Sequence, residues 1–207
     1  MRIAVLGASG RVGSATVRHA VAAGHDVVSV VRTRATAPAG TVVAVADGRD
    51  AAALADAVRG ADAVVSCIGH VTGQDDSTLL RDSASALIEA MGSTGVRRLV
   101  AISAAAAYVA GDDPVSRFIA KPLLERMLKD NNLDTRAMED VIRGSDLDST
   151  LLRPSRLVPG DGSPRYRHRV DQAVWWHYNT RFDTVGRAAV DALVHPEWNG
   201  HAVFVTE

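Results

Sequence analysis

Near the start of the chain, Gly7-Ala8-Ser9-Gly10-Arg11-Val12-Gly13 sets glycines at every third position, directly after an apolar run and before a helical pattern. That spacing suits a phosphate. Gly7 permits the tight turn, Gly10 has no Cβ to keep a pyrophosphate off the backbone, and Gly13 lets the helix pack against the strand. The phosphates then meet free N–H groups and the positive end of the helix dipole. Ser9 and Arg11 add side-chain donors, and Val12 lies in the same helix opening. Glycine also marks plain turns. Here the preceding strand, the following helix and the N-terminal position agree, and the expected ligand is a dinucleotide.

A second group of residues bears on which dinucleotide. An acidic residue ending the second strand would bind the ribose 2′-hydroxyl of NAD. Asp26 has the right distance in sequence from the first glycine, but it begins that strand instead of ending it. The strand ends Val30-Val31-Arg32-Thr33-Arg34. Two guanidiniums suit a 2′-phosphate, which arginine grips bidentately, so NADP(H) is the expected cofactor. The other reading of Arg32 and Arg34 is a pair of solvated loop charges.

The elements that must hold these residues follow a β-α-β-α rhythm. Strands are expected at Arg2–Leu6, Asp26–Val31, Thr41–Ala46, Asp62–Cys67, Arg98–Ser103, Ser149–Arg153 and His201–Thr206. Helices are expected at Arg11–Ala23, Ala51–Arg59, Asp76–Ser93, Pro114–Asp130, Asp134–Gly144 and Asp183–Val194, the last capped by Asp183. Gly24 and Gly60 stand where left-handed caps would end two of these helices. This rhythm implies an α/β fold of Rossmann type, doubly wound, with a mostly parallel sheet and helices on both faces. Residues 1–207 read as one domain, in which a smaller part at about 154–182 covers the substrate. The stretch Pro159–Tyr178 reads as irregular. Within it, Trp175-Trp176-His177-Tyr178 would either stack on a planar substrate or pack a helix against the domain.

Composition excludes several classes. The chain has 207 residues, 47% hydrophobic and 23% charged, with a formal net charge of −1. That length can bury a core without staples, and the balance offers no field to recruit nucleic acid or an anionic membrane. One cysteine, Cys67, allows no intrachain disulfide and argues against a structural zinc site. The apolar stretch Leu99–Ala110 is too short to span a bilayer. The first residues enter a strand directly, which leaves no room for a signal peptide. A cytoplasmic monomer or weak homodimer is expected, with a small aromatic substrate and without metal, nucleic-acid or membrane partners.

The chain resembles the atypical short-chain dehydrogenase/reductase group, the NAD(P)H-binding proteins related to NmrA and to biliverdin reductase B. The residues that carry the resemblance are Gly7 to Gly13, Val31-Arg32, Ala46-Asp47-Gly48, Ser66-Cys67-Ile68-Gly69, Val100 to Ser103, Met138-Glu139 and Leu151 to Arg156. The resemblance implies Asp47 and Gly48 at the adenine. It puts Cys67, Ile68 and Gly69 along the path from pyrophosphate to nicotinamide ribose. It also sets Ser103 facing the nicotinamide and substrate, and Pro154 to Arg156 bordering the substrate side.

Typical members of the wider group use a Tyr-x-x-x-Lys pair as a proton relay. Four residues after Tyr108, Tyr166 and Tyr178 stand Asp112, Val170 and Phe182, and the aligned positions hold Asn131 and Thr135. The dyad is absent. The biliverdin reductase B-like relatives also lack it, and the resemblance implies a reductase of a flavin, quinone or tetrapyrrole type of acceptor. Hydride transfer needs mainly orientation and water exclusion. Ser103 is the expected hydrogen-bond donor to the acceptor and Arg156 the expected anchor for negative charge, with Tyr108 and His70 behind them. Two alternatives stand beside this: a non-catalytic redox sensor of NmrA type that regulates a partner, and an epimerase or isomerase with a tightly held cofactor.

Overall fold

A strand that is apolar along its whole length must be covered on both faces, and the first one is buried at every position after Arg2. The computed structural model describes residues 1–70, 76–108 and 129–207. Its elements are β1 (Arg2–Leu6), α1 (Arg11–Ala22), β2 (Asp26–Val31), β3 (Val42–Val45), α2 (Ala51–Val58), β4 (Ala63–Ser66), α3 (Leu79–Thr94) and β5 (Arg98–Ile102). They continue with α4 (Lys129–Arg143), β6 (Asp148–Pro154), β7 (Arg156–Val158), β8 (Arg167–Val170), β9 (Asn179–Arg181), α5 (Phe182–Leu193) and β10 (Ala202–Thr206).

The central sheet runs in the order β3-β2-β1-β4-β5-β6-β10-β8. Every neighbouring pair is parallel except β10 and β8. Alternate residues of each strand serve opposite layers. Leu6, Val64, Leu99 and Leu151 pack under Leu54 of α2, Leu87 and Met91 of α3 and Met138 of α4. On the other face, Ile3, Val5, Val65, Val100 and Val203 pack under Val17 of α1 and Ala188, Ala189 and Leu193 of α5. This is the doubly wound, Rossmann-type arrangement. The chain leaves β1 outward to β2 and β3, then returns to β4 on the other side of β1. The carboxyl ends of β1 and β4 therefore flank the point where the winding reverses, which is where open α/β sheets bind ligands.

The expected elements of the first half appear within a few residues of their expected ends. Of the expected helix at 114–130, residues 114–128 lie outside the described residues, and Lys129 and Asp130 belong to α4. The stretch 159–178 differs from its reading as irregular. It contains β8, which adds an antiparallel edge to β10, while β7 and β9 on either side of it form a separate parallel pair. The cap of α5 also differs. Arg181 occupies the cap position, and Asp183 lies inside the first turn, where its carboxylate takes Arg18 Nη2 at 2.9 Å and lies 3.0 Å from His19 Nε2. Burial works against that carboxylate, but Arg18 and His19 together hold it below its usual range. Trp175 and Trp176 belong to no helix, and Trp176 is 60% exposed with a φ of 65°.

Candidate functional site

At the end of β1 the chain turns through Gly7 at φ 68°, where a Cβ would meet the Cys67 carbonyl oxygen at 2.9 Å. Gly10 N–H closes the turn on the Gly7 carbonyl at 2.9 Å, and Gly10 is the N-cap residue of α1. Gly13 brings α1 so close that a Cβ there would lie 2.1 Å from the Gly7 carbonyl oxygen. No side chain caps α1 and no acidic residue lies in its first turn, so the orphan N–H groups and the positive helix end stay available to an anion.

One cleft gathers the surrounding residues. Gly7, Ser9 and Gly10 form its floor, Arg32 stands at the end of β2, and Asp47, Gly48 and Arg49 follow β3. Cys67, Ile68 and Gly69 follow β4, and Asp76, Leu79 and Ser83 close it from α3 and the loop before it. Of the residues expected at the cofactor, Gly7, Ser9, Gly10, Arg32, Asp47, Gly48, Cys67, Ile68 and Gly69 thus come together. Val12 lies beside the cleft in the first turn of α1. Arg11 turns away, its guanidinium 4.2 Å over the Phe182 ring. Arg34 opens a short 3-10 turn, Arg34–Thr36, and is exposed outside the cleft walls.

The charges around this cleft are partly paired. Arg49 grips Asp76 with two hydrogen bonds of 2.8 and 2.6 Å, which holds the Asp76 carboxyl below its usual range. Asp47 accepts the Arg49 N–H at 2.9 Å, and Asp50 caps α2 through the Ala53 N–H at 3.0 Å. Burial pushes the Cys67 thiol up to about 12, against a weak opposing contact with Thr16 Oγ1 at 3.5 Å. A thiol raised in this way is a poor nucleophile at neutral pH.

The chemistry of these walls fits a dinucleotide. The glycine cradle is one a Cβ would fill, and the helix end above it is uncapped. Ser83 Oγ is buried against the cleft with no hydrogen-bond partner among the described residues. A buried hydroxyl left unpaired costs about 1–3 kcal/mol, which a polar edge of the ligand would relieve.

A second polar cluster lies one strand further along. Ser103 leaves β5 and its N–H bonds the Leu152 carbonyl at 2.7 Å. Its Oγ donates to Glu139 Oε1 at 2.5 Å. Arg153 of β6 donates to both carboxylate oxygens of Glu139, at 2.9 and 2.5 Å, and its guanidinium lies 3.4 Å over the Tyr108 ring. Burial first, and then the Glu139 carboxylate, push the Tyr108 hydroxyl above its usual range. The Ser103 proton expected to serve an acceptor therefore points inward. Arg156 is on β7, exposed, with its Nε on Asn179 Oδ1 at 3.0 Å. Neither Ser103 nor Arg156 lines the cleft. His70 Nε2 lies 3.2 Å from Asp134 Oδ2, whose two oxygens accept the N–H groups of Leu80 and Arg81 at the start of α3.

Reading the sequence did not assign Arg49, Ser83, Glu139 or Arg153 to a site. Glu139 did leave a signal, since it shares the buried face of α4 with Thr135, Met138 and Ile142. A carboxylate at a core position needs a buried partner.

The sequence model of a family described as NAD(P)H-binding matches residues 7–196. An uncharacterized protein of Mycobacterium tuberculosis is 33% identical over 198 residues, which is 94% of this chain and 21% of that protein. The chain thus spans about a fifth of the length of the mycobacterial relatives it matches. A 3-diazoavenalumate denitrifying reductase of a Streptomyces species is 32% identical over 181 residues, 80% of this chain and 59% of its own length. Among solved structures, a short-chain dehydrogenase/reductase of Veillonella parvula in complex with NADP superposes with a TM-score of 0.83 at 16% identity, covering 100% of this chain and 94% of its own. An anaerobillin reductase from Escherichia coli O157:H7 does so with a TM-score of 0.77 at 22% identity, covering 100% and 97%. At these identities the superpositions establish the fold.

Proposed function

This chain belongs to the NAD(P)H-binding family, and from that premise we propose that it is an NADPH-dependent reductase of a conjugated acceptor of flavin, quinone or tetrapyrrole type. The observation that carries the reading is the cleft at the reversal of winding, where the glycine turn, the uncapped start of α1 and Arg32 converge. A bound nicotinamide cofactor supplies hydride chemistry. The protein's own part is to bind, to orient and to exclude water. The N–H groups at the start of α1 hold the pyrophosphate, and Asp47, Gly48 and Ser83 surround the adenine end. Gly69 and Ser103, which follow the ends of the neighbouring strands β4 and β5, would flank the route to the nicotinamide.

The choice of NADP rests on charge. Arg49 is committed to Asp76, which leaves Arg32 as the guanidinium for the 2′-phosphate. Asp26, the acid nearest in sequence, pairs in register with Arg2 at the opposite end of β2. Two names fit the reductase reading without deciding it: the NADP complex from Veillonella parvula and the reductase of the Streptomyces relative.

The acceptor class follows from what the second cluster withholds. The Ser103 hydroxyl donates to Glu139, and the Tyr108 hydroxyl is held above its usual range. Neither is suited to the proton relay that an alcohol or ketone substrate demands. A conjugated acceptor takes the hydride and draws its proton from solvent. NADPH oxidation followed at 340 nm with riboflavin, menadione and biliverdin tests this. Turnover with at least one of them is expected, and none with any would sink the reductase reading. Tight NADPH binding without turnover would favour the redox-sensor alternative, which the absent proton donor also suits.

A further inference from the structure

Ser103 keeps 8% of its surface exposed at the carboxyl edge of the sheet. It shares a face with the cofactor cleft. Ser66 of β4 pairs in register with Ala101 of β5, and Ile68 and Ser103 each follow that pair by two residues, beyond the ends of these neighbouring strands. Leu6, Ile68 and Ala101 belong to the core on the α2, α3 and α4 side. Ser103, two residues on from Ala101, points to that same side, where Glu139 receives it.

The direction of its hydrogen bond is fixed by its partners. Glu139 is 1% exposed and accepts two hydrogen bonds from Arg153, with Arg143 Nη2 at 3.7 Å. Both oxygens of that carboxyl already accept from Arg153, and a guanidinium accepts nothing, so the Ser103 bond runs from its hydroxyl to Oε1. A serine hydroxyl has one proton and two lone pairs. With the proton drawn to Glu139, the group offers only lone pairs to a ligand.

We infer that Glu139 is a positioning residue that makes Ser103 a hydrogen-bond acceptor, so that the site selects conjugated acceptors presenting an N–H over those presenting only carbonyl oxygens. The inference rests on the reductase reading above and names the substrate class of that site. A flavin ring, with its N3–H between two carbonyls, belongs to the favoured class, and a quinone does not. A carbonyl set against the outward lone pairs of Ser103 meets repulsion instead of a bond, and a buried site built for one polarity rejects the other.

The test is NADPH oxidation by riboflavin, by 3-methylriboflavin, whose N3 has no hydrogen, and by menadione, in wild type, S103A and E139Q. Wild type is expected to favour riboflavin over its 3-methyl analogue by about tenfold or more in kcat/KM. S103A should close that gap by lowering the riboflavin rate. E139Q, whose amide can donate to Ser103 and free its proton, should narrow the gap as well. Mere damage to packing would lower both flavin rates together and leave their ratio unchanged. If E139Q fails to fold, the ratio in S103A decides. Equal kcat/KM for the two flavins in wild type, or a gap that persists in S103A, overturns the inference. Turnover of menadione but not riboflavin overturns it and leaves the reductase reading standing. No oxidation with any of the three removes that reading, and this inference with it.

Discussion

A methyl group on Gly13 would lie 2.1 Å from the Gly7 carbonyl oxygen and 2.8 Å from the carbon it belongs to. Both neighbours are backbone and cannot step aside as a side chain does. Gly13→Ala is therefore expected to lower stability by about 2–3 kcal/mol, read from urea denaturation. Cys67 gives a second prediction. With its thiol pushed up to about 12, it should react slowly with thiol reagents at pH 7.5, although it lines the cleft and is only partly buried. Labelling of the folded chain as fast as that of a free thiol would contradict the raised value. These two residues also mark what sequence reveals at this scale. The glycine turn was readable because its steric demands are met within seven residues. The inward turn of the Ser103 hydroxyl was not, because its partner Glu139 lies 36 residues away on a helix whose position only the folded sheet defines.

The start of α3 shows the same division between local and distant causes. Its amphipathic pattern makes the helix legible, and Gly95 at φ 75° closes its far end. Its near end has no side-chain cap of its own. The free N–H groups of Leu80 and Arg81 are taken by Asp134, which arrives from α4. No local spacing rule finds a cap supplied from another helix. Asp134→Ala should cost about 1–2 kcal/mol, seen as a lower melting temperature, while Asp134→Asn retains an acceptor and should recover part of it. Equal stability of wild type and Asp134→Ala would refute the capping role. The opposite error occurred at α5. Asp183 has the residue type of a cap, but it lies inside the first turn and is drawn into a contact with Arg18 and His19 of α1. β7, β8 and β9 escaped notice for another reason. They are three or four residues long, and β8 reads Arg167-His168-Arg169-Val170, exposed throughout. Their pairing lacks the apolar alternation that announces a strand.

The molecule as a whole is a parallel sheet with α2, α3 and α4 on one face and α1 and α5 on the other. The parallel sheet with helices on both faces was implied by the β-α-β rhythm, whereas the order of its strands is set by the fold. Asp183 ties the two helices of one face together, and its folded pKa lies below its unfolded value. Its contribution is thus complete above the ordinary carboxylate range and is lost as pH falls through the depressed folded value. Asp183→Asn should lower stability at pH 7 by roughly 1 kcal/mol, allowing for solvent screening, and flatten the loss below about pH 4. An unchanged acid profile would remove Asp183 from that account. The central claim, however, is that the cleft between β1 and β4 holds NADPH through Arg32. Titrating NADPH and NADH onto wild type, Arg32→Ala and Arg34→Ala tests it most directly. Wild type should prefer NADPH, Arg32→Ala should lose about tenfold to a hundredfold in NADPH affinity with NADH little changed, and Arg34→Ala should resemble wild type. Failure of both dinucleotides to bind, or an NADPH preference that survives Arg32→Ala, would contradict it.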